Sequence, residues 1–142
     1  MSPPDDKNAV RLKSIAPQFA VPDVVLATEY YRDFLGFKIL GYFGTPPIFS
    51  IVMRDQVEIQ LRKAGPAAGP ARNWLQRDDG LDAYIWVTDV DRLYAEFNER
   101  GANVVEPPTA RIYKCYEMVV QDKFGFRLAF AMDTSENRNA TK

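Results

Sequence analysis

Two stretches of this chain carry the same local grammar, and any fold proposed for it must accommodate both. The first is Val21-Pro-Asp-Val-Val-Leu-Ala-Thr-Glu-Tyr-Tyr-Arg-Asp-Phe-Leu-Gly-Phe37. Asp23 stands where a helix N-cap carboxylate accepts a free backbone N–H. Val24, Ala27, Tyr31 and Phe34 or Leu35 follow at helical spacing as one apolar stripe, and Gly36 stands where a left-handed residue closes a helix. The second stretch is Val87-Thr-Asp-Val-Asp-Arg-Leu-Tyr-Ala-Glu-Phe-Asn-Glu-Arg-Gly101, in which Asp89 and Gly101 repeat Asp23 and Gly36 after 66 and 65 residues. Here Leu93 and Phe97 form the stripe, and Thr88-x-x-Asp91 offers a capping box. The chain reads as one module written twice.

The segments between these helices read as strands. Expected strands cover Lys13–Val21, Phe37–Phe43, Ile48–Met53 and Val57–Lys63 in the first copy. In the second copy they cover Leu81–Val87, Ala102–Val105 (ended by Glu106-Pro-Pro108), Lys114–Gln121 and Phe126–Met132. Val57-Glu-Ile-Gln-Leu61 recurs as Phe126-Arg-Leu-Ala-Phe130, 69 residues on. The expected fold class is therefore α+β: two tandem βαβββ modules forming concave mixed sheets with a shared cavity, helices on the outer faces. Residues 1–10 and 133–142 read as disordered, and 11–132 as one domain. Within it, module one spans about 12–63, a Pro/Gly/Ala-rich linker 64–80, and module two about 81–132. A helical turn is expected at Arg72-Asn-Trp-Leu-Gln76 in the linker.

Alternation along the strands separates core-facing from outward-facing side chains. Ile15, Phe19 and Val21 share a face opposite Gln18, and Val57, Ile59 and Leu61 lie opposite Glu58 and Gln60. Ala83, Ile85 and Val87 lie opposite Asp82, Tyr84 and Trp86. Two large aromatics on the polar face of a strand point to a pocket or an interface. Glu117 joins Cys115 and Val119 on one face of its strand and is a further candidate. The candidate ligand-binding set is thus Gln18, Glu58, Gln60, Asp82, Tyr84, Trp86 and Glu117. Cys115 reads as a small buried hydrophobe, since nothing beside it would activate a thiolate. Arg62 and Arg127, near strand ends, read as surface cations, with anion binding as the alternative.

Composition narrows the chemistry further. The chain has no histidine, which removes Ser-His-Asp triads, Cys-His pairs and histidine-based metal sites together. A net charge of -1 argues against nucleic acid as a partner, and no apolar run is long enough to span a membrane. One cysteine excludes an internal disulfide and fits a reducing, cytoplasmic setting.

The paired modules, the run ending Tyr-Tyr-Arg-Asp-Phe-Leu-Gly-Phe37, the Asp89-Val-Asp-x-Leu-Tyr94 helix and the Asp122…Gly125-x-x-Leu128 ending resemble the vicinal oxygen chelate superfamily. That superfamily includes glyoxalase I, extradiol dioxygenases, fosfomycin-resistance enzymes and bleomycin-resistance proteins. The resemblance implies metal-ligand positions at Ala16, Gln60, Asp82 and Ala129. Two methyl groups cannot coordinate a metal, so the chain resembles the metal-free bleomycin-resistance branch, with no cofactor. The function implied is binding of a small amphipathic molecule, such as an antibiotic, in an aromatic, mildly acidic cavity of a homodimer. The alternative is a glyoxalase- or dioxygenase-type enzyme of the same superfamily acting on a small carbonyl or aromatic substrate. The sequence leaves open whether the modules pair within one chain or across two.

Overall fold

A computed structural model describes residues 8–66 and 79–135. The expectations for residues 1–7, for the turn at Arg72–Gln76 and for 136–142 lie outside the described residues. In chain order the elements are β1 (Gln18–Val21), α1 (Val24–Leu35), β2 (Lys38–Phe43), β3 (Phe49–Arg54), β4 (Val57–Lys63) and β5 (Ala83–Trp86). They continue with α2 (Val90–Arg100), β6 (Val104–Ala110), β7 (Cys115–Gln121) and β8 (Arg127–Asp133). The two four-stranded sheets have the orders β1-β4-β3-β2 and β5-β8-β7-β6. In each, the helix carries the chain from one edge to the other, and the meander returns its last strand parallel to the first. The fold is the expected α+β pair of βαβββ modules.

Both helices form for the reason the sequence suggests. The Asp23 carboxylate accepts the Leu26 N–H at 3.0 Å, and Asp89 accepts the Arg92 N–H at 3.0 Å. Asp89, rather than Thr88, is therefore the second cap. Gly36 and Gly101 close the helices at φ 75° and 83°. Gly36 has a second reason to lack a side chain. A Cβ there would lie 2.7 Å from the Arg54 guanidinium, which donates to the Leu35 carbonyl and, bidentately, to Glu96 on α2.

Each helix covers one face of its own sheet, and one core runs through both modules. It joins Val21, Tyr31, Ile59 and Leu61 to Ile85, Phe97, Met118 and Phe130. The seam is aromatic and polar at once. Phe19 stacks on Phe126 with centroids 4.5 Å apart. Tyr31, fully buried, donates to Asp122 Oδ2 at 2.7 Å, while Asp122 Oδ1 takes the Phe124 and Phe126 N–H groups. Tyr30 donates to the Gln121 carbonyl and accepts from Asn103 N–H. The two most distinctive sequence runs, around Tyr30-Tyr31 and Asp122…Gly125, are thus bonded to each other. Burial pushes both the Tyr31 phenol and the Asp122 carboxyl above their ordinary values.

Two strand expectations need correction. The first strand begins at Gln18, not Lys13. Pro17 has no N–H for the ladder and contributes only its carbonyl, which accepts from Gln60 N–H. The described residues before it join no strand, and Ile15 is exposed rather than in the core. The sixth strand does not stop at Glu106 but runs to Ala110. β6 is an outer edge, and its register shifts between Glu106 and Thr109. Pro107 and Pro108 therefore sit in a bulge where no ladder donor is required. Asp133, expected in the tail, ends β8.

Candidate functional site

Strand alternation decides what the second sheet shows on the side away from α2. Ile85, Leu128, Phe130, Met118 and Val120 belong to the core, so Tyr84, Trp86, Ala129, Ala131, Glu117 and Val119 face the other way. The registers set them in two rows across β5, β8 and β7: Tyr84–Ala129–Val119 and Trp86–Ala131–Glu117. Two alanines on the middle strand leave a low floor, and the Tyr84 phenol lies over it to reach β7. Its hydroxyl donates to Glu117 Oε1 at 2.7 Å.

Glu117 is the centre of this face. It is 3% exposed, and a buried carboxylate needs partners to offset the loss of water. Tyr84 and Tyr113 both donate to Oε1, the latter at 2.8 Å, and Arg111 Nε approaches Oε2 at 3.4 Å. Arg111 is shared with Glu106, whose carboxylate accepts from Nη2. Two carboxylates therefore surround one guanidinium, and the cluster carries net negative charge. Burial, reinforced by the bond to Glu117, pushes Tyr84 far above the ordinary phenol range and Tyr113 up to about 12, so both remain donors. Trp86 meets Tyr84 edge-on at 5.2 Å and is 51% exposed, forming an aromatic wall beside the acid. Cys115 is buried at the edge of the same face.

The first sheet presents a different surface. Gln18 Nε2 donates to Gln60 Oε1 at 2.7 Å, and Gln60 Nε2 donates to Glu58 at 2.7 Å, giving a file of amides that ends on a carboxylate. Ile51 and Met53 pair with Gln60 and Glu58 across β3. Arg62 lies 5.0 Å over the Phe49 ring, and Phe49 packs against Phe43.

The seven candidates therefore fall into three places. Gln18, Glu58 and Gln60 touch one another on the first sheet, and Tyr84, Trp86 and Glu117 gather on the second. Asp82 stands apart: its carboxylate accepts the Arg127 N–H at 2.9 Å, fastening the start of β5 to β8. Arg127 in turn donates to Gln121. Sequence reasoning missed Arg111, Tyr113 and Glu106 because the sixth strand was ended at the prolines. Continuing it into a β6–β7 hairpin would have put Arg111, Tyr113 and Glu117 in alternation across the turn.

The residues at the implied metal positions do not suit a metal. Ala16 and Ala129 offer methyl groups, Gln60 is a neutral amide bonded to Gln18 and Glu58, and Asp82 is engaged by backbone. Among the described residues no group of three His, Cys, Asp or Glu side chains converges on one point. No helix among them is long and apolar enough to cross a membrane.

Residues 11–130 match the family model described as glyoxalase/bleomycin resistance protein/dioxygenase superfamily. No curated protein matches the chain. Among solved structures, TioX from Micromonospora sp. ML1 superposes with a TM-score of 0.65 at 19% identity, covering 85% of this chain and 98% of that one. A bleomycin-binding protein from Streptomyces verticillus, solved with copper(II)-bleomycin, gives 0.63 at 19% identity, covering 90% and 100%. Lactoylglutathione lyase from Agrobacterium tumefaciens gives 0.62 at 16% identity, covering 84% and 92%.

Proposed function

The chain belongs to the glyoxalase/bleomycin resistance protein/dioxygenase superfamily, and from that premise we propose that it binds a small amphipathic molecule carrying a positive group, without a metal of its own. The observation that carries this is the buried Glu117, fixed by two phenols beneath the exposed Trp86–Tyr84 wall. Trp86 supplies a flat face for an aromatic or cationic group. Glu117 and Glu106, sharing one guanidinium, supply the negative potential that favours a cation. We propose further that a second copy of the chain closes the site over the aromatic wall. The likeness to a bleomycin-binding protein supports an antibiotic as the ligand class.

The enzymatic alternative is supported by the likeness to a lactoylglutathione lyase. Such chemistry in this superfamily uses a metal as Lewis acid or oxygen site, and Ala16, Gln60, Asp82 and Ala129 do not furnish one. Binding without turnover is the better fit to these residues.

The test is a thermal-shift and calorimetric panel of planar aromatic compounds bearing an ammonium, with neutral and carboxylate analogues of the same shape. A ligand at a hundred times its Kd stabilises the fold by about 2.7 kcal/mol through mass action. The cationic members should give that shift, and Glu117→Gln and Trp86→Ala should each abolish it. Equal shifts from neutral and anionic analogues would overturn the charge assignment. A stoichiometric divalent metal in elemental analysis would overturn the metal-free assignment.

A further inference from the structure

Arg111 stands in the middle of the acid cluster and is held unequally by it. Its backbone is pinned at the base of the β6–β7 turn, where its N–H donates to the Cys115 carbonyl at 2.8 Å and its carbonyl accepts the Lys114 N–H at 3.1 Å. Movement is left to the side chain. Alternation brings that side chain over the inner face, since Thr109 pairs with Glu117 across the ladder and Arg111 follows two residues on. Its Nη2 makes a short bond to Glu106, a carboxylate 43% exposed, whereas its Nε reaches Glu117 Oε2 only at 3.4 Å. A charge-assisted N–H bond is about 2.7–2.9 Å when well made, so the second contact is loose. Oε1 of Glu117 takes two phenols, and among the described residues no other donor reaches Oε2. Two carboxylates sharing one guanidinium also leave the cluster one positive charge short of neutrality.

We propose that Arg111 is a stand-in for the ligand's positive group, and that this group is a forked planar cation, an amidinium or a guanidinium. On binding, an N–H of the ligand replaces Arg111 Nε on Glu117 Oε2, and Arg111 stays with Glu106 alone. Each carboxylate then has its own cation. The class follows from the present occupant. A guanidinium edge already fits beside Oε2, and a delocalised cation is less strongly hydrated than a compact ammonium, so it enters a buried site with a smaller penalty. The choice of Glu117 over Glu106 follows from the aromatic wall. Trp86 and Glu117 lie in one row two strands apart, about 10 Å, so a ring on the wall presents its substituent to Glu117. Glu106 lies one strand farther and is exposed, where solvent screens an ion pair. Arg111 thereby sets specificity by competition, because a neutral group does not displace it from a carboxylate.

The stand-in role rests on the cationic-ligand reading above, and the two fail separately. The probes are benzamidine, its ammonium counterpart benzylamine and its neutral isostere benzamide, with methylguanidinium as a copy of the arginine end. In heteronuclear NMR of the wild-type chain, saturating benzamidine should shift the Arg111 Nε–H resonance and speed its exchange with water, and benzamide should do neither. Arg111→Ala should bind benzamidine at least about tenfold more tightly than wild type, since the competitor is gone, and benzylamine should gain less. The same variant leaves Glu117 without its cation, so its melting temperature should fall and millimolar methylguanidinium should restore it. Adding Glu117→Gln should abolish that recovery. Arg111→Gln, which keeps bulk without charge, carries the same comparisons if Arg111→Ala does not fold. Benzamidine bound by wild type with an unchanged Arg111 resonance, or no more tightly by the variants, overturns the stand-in role and leaves the ligand reading standing. Loss of benzamidine binding in Glu106→Gln but not in Glu117→Gln overturns it too, by moving the cation to the exposed carboxylate. Methylguanidinium recovery without wild-type benzamidine binding keeps the cation position and sinks the aromatic-ligand reading. Absence of both overturns both.

Discussion

The two modules share their helices and differ on their inner faces. Both helices begin on an aspartate, end on a left-handed glycine and cover one side of a sheet with the same strand order. On the opposite side, module one carries an amide file across Gln18, Gln60 and Glu58, accessible to solvent. Module two buries Glu117 under two phenols, with Val119, Ala129 and Ala131 almost fully covered although they lie outside the main core. The repeated part is what makes the fold, and the divergent part is where binding is proposed. A duplicated module can alter one face in this way because strand alternation uncouples it from the core on the other side.

The largest expected effect tests that contrast at its centre. Glu117→Ala leaves two phenols and Arg111 without their shared acceptor, and should cost about 3 kcal/mol by urea denaturation. Gln60→Ala, in the corresponding bond network of module one, should cost within about 0.5 kcal/mol, because water replaces its exposed partners. Equal losses would erase the distinction between a solvated face and a built site.

Next in size is the alanine floor. Ala129→Leu places a branched side chain where the Tyr84 phenol crosses to Glu117, and overpacking of this kind costs about 1–3 kcal/mol. It should also displace Tyr84 and weaken cationic ligands. Ala20→Leu, on the exposed inner face of module one, should be neutral within about 0.5 kcal/mol and leave ligand affinity unchanged. A neutral Ala129→Leu would mean that Tyr84 does not need the floor.

The caps address the shared part instead. Asp23→Ala and Asp89→Ala should each cost about 1 kcal/mol, measured by thermal denaturation, and the two losses should add in the double variant. Markedly unequal losses would show that only one module's helix depends on its cap.

What the sequence made legible follows the same division. Asp23, Asp89, Gly36 and Gly101 act within a few residues of chain, so spacing alone located both helices. The core faces of β4 and β5 were legible because alternation is a local rule. The cluster around Glu117 is not local in this sense, since its partners come from β5 and from a hairpin. Pro107 and Pro108 hid that hairpin, because their tolerance depends on β6 being an edge strand, and edges exist only once the sheet is assembled. Asp82 shows the opposite failure. It stands on the strand side expected to line the cavity, yet it binds the Arg127 backbone, a partner 45 residues away.

The smallest effect lies where the modules meet, and it has a sign rather than a size. Two carboxylates of module two bond to module one, and their environments pull in opposite directions. Glu96 is held below the ordinary carboxylate range, first by its bonds to Arg54 and then to Arg100. A lowered folded-state value means stability that is present above the ordinary range and lost as pH falls through the folded value. Asp122 is raised by burial, despite the bonds from Tyr31 and two backbone N–H groups. A raised value means that the folded state holds its proton more tightly than the unfolded chain, so this group gains stability as pH falls. Glu96→Gln and Asp122→Asn each remove one titration. In denaturation from neutral pH to pH 4, the cost of Glu96→Gln should shrink and the cost of Asp122→Asn should grow. Because Glu96 is about a third exposed, solvent and salt screen its share, and its slope should flatten in high salt while that of Asp122 persists. Parallel slopes would mean that the seam behaves as a single electrostatic environment, with no distinction between its guanidinium-bound rim and its buried Tyr31–Asp122 core.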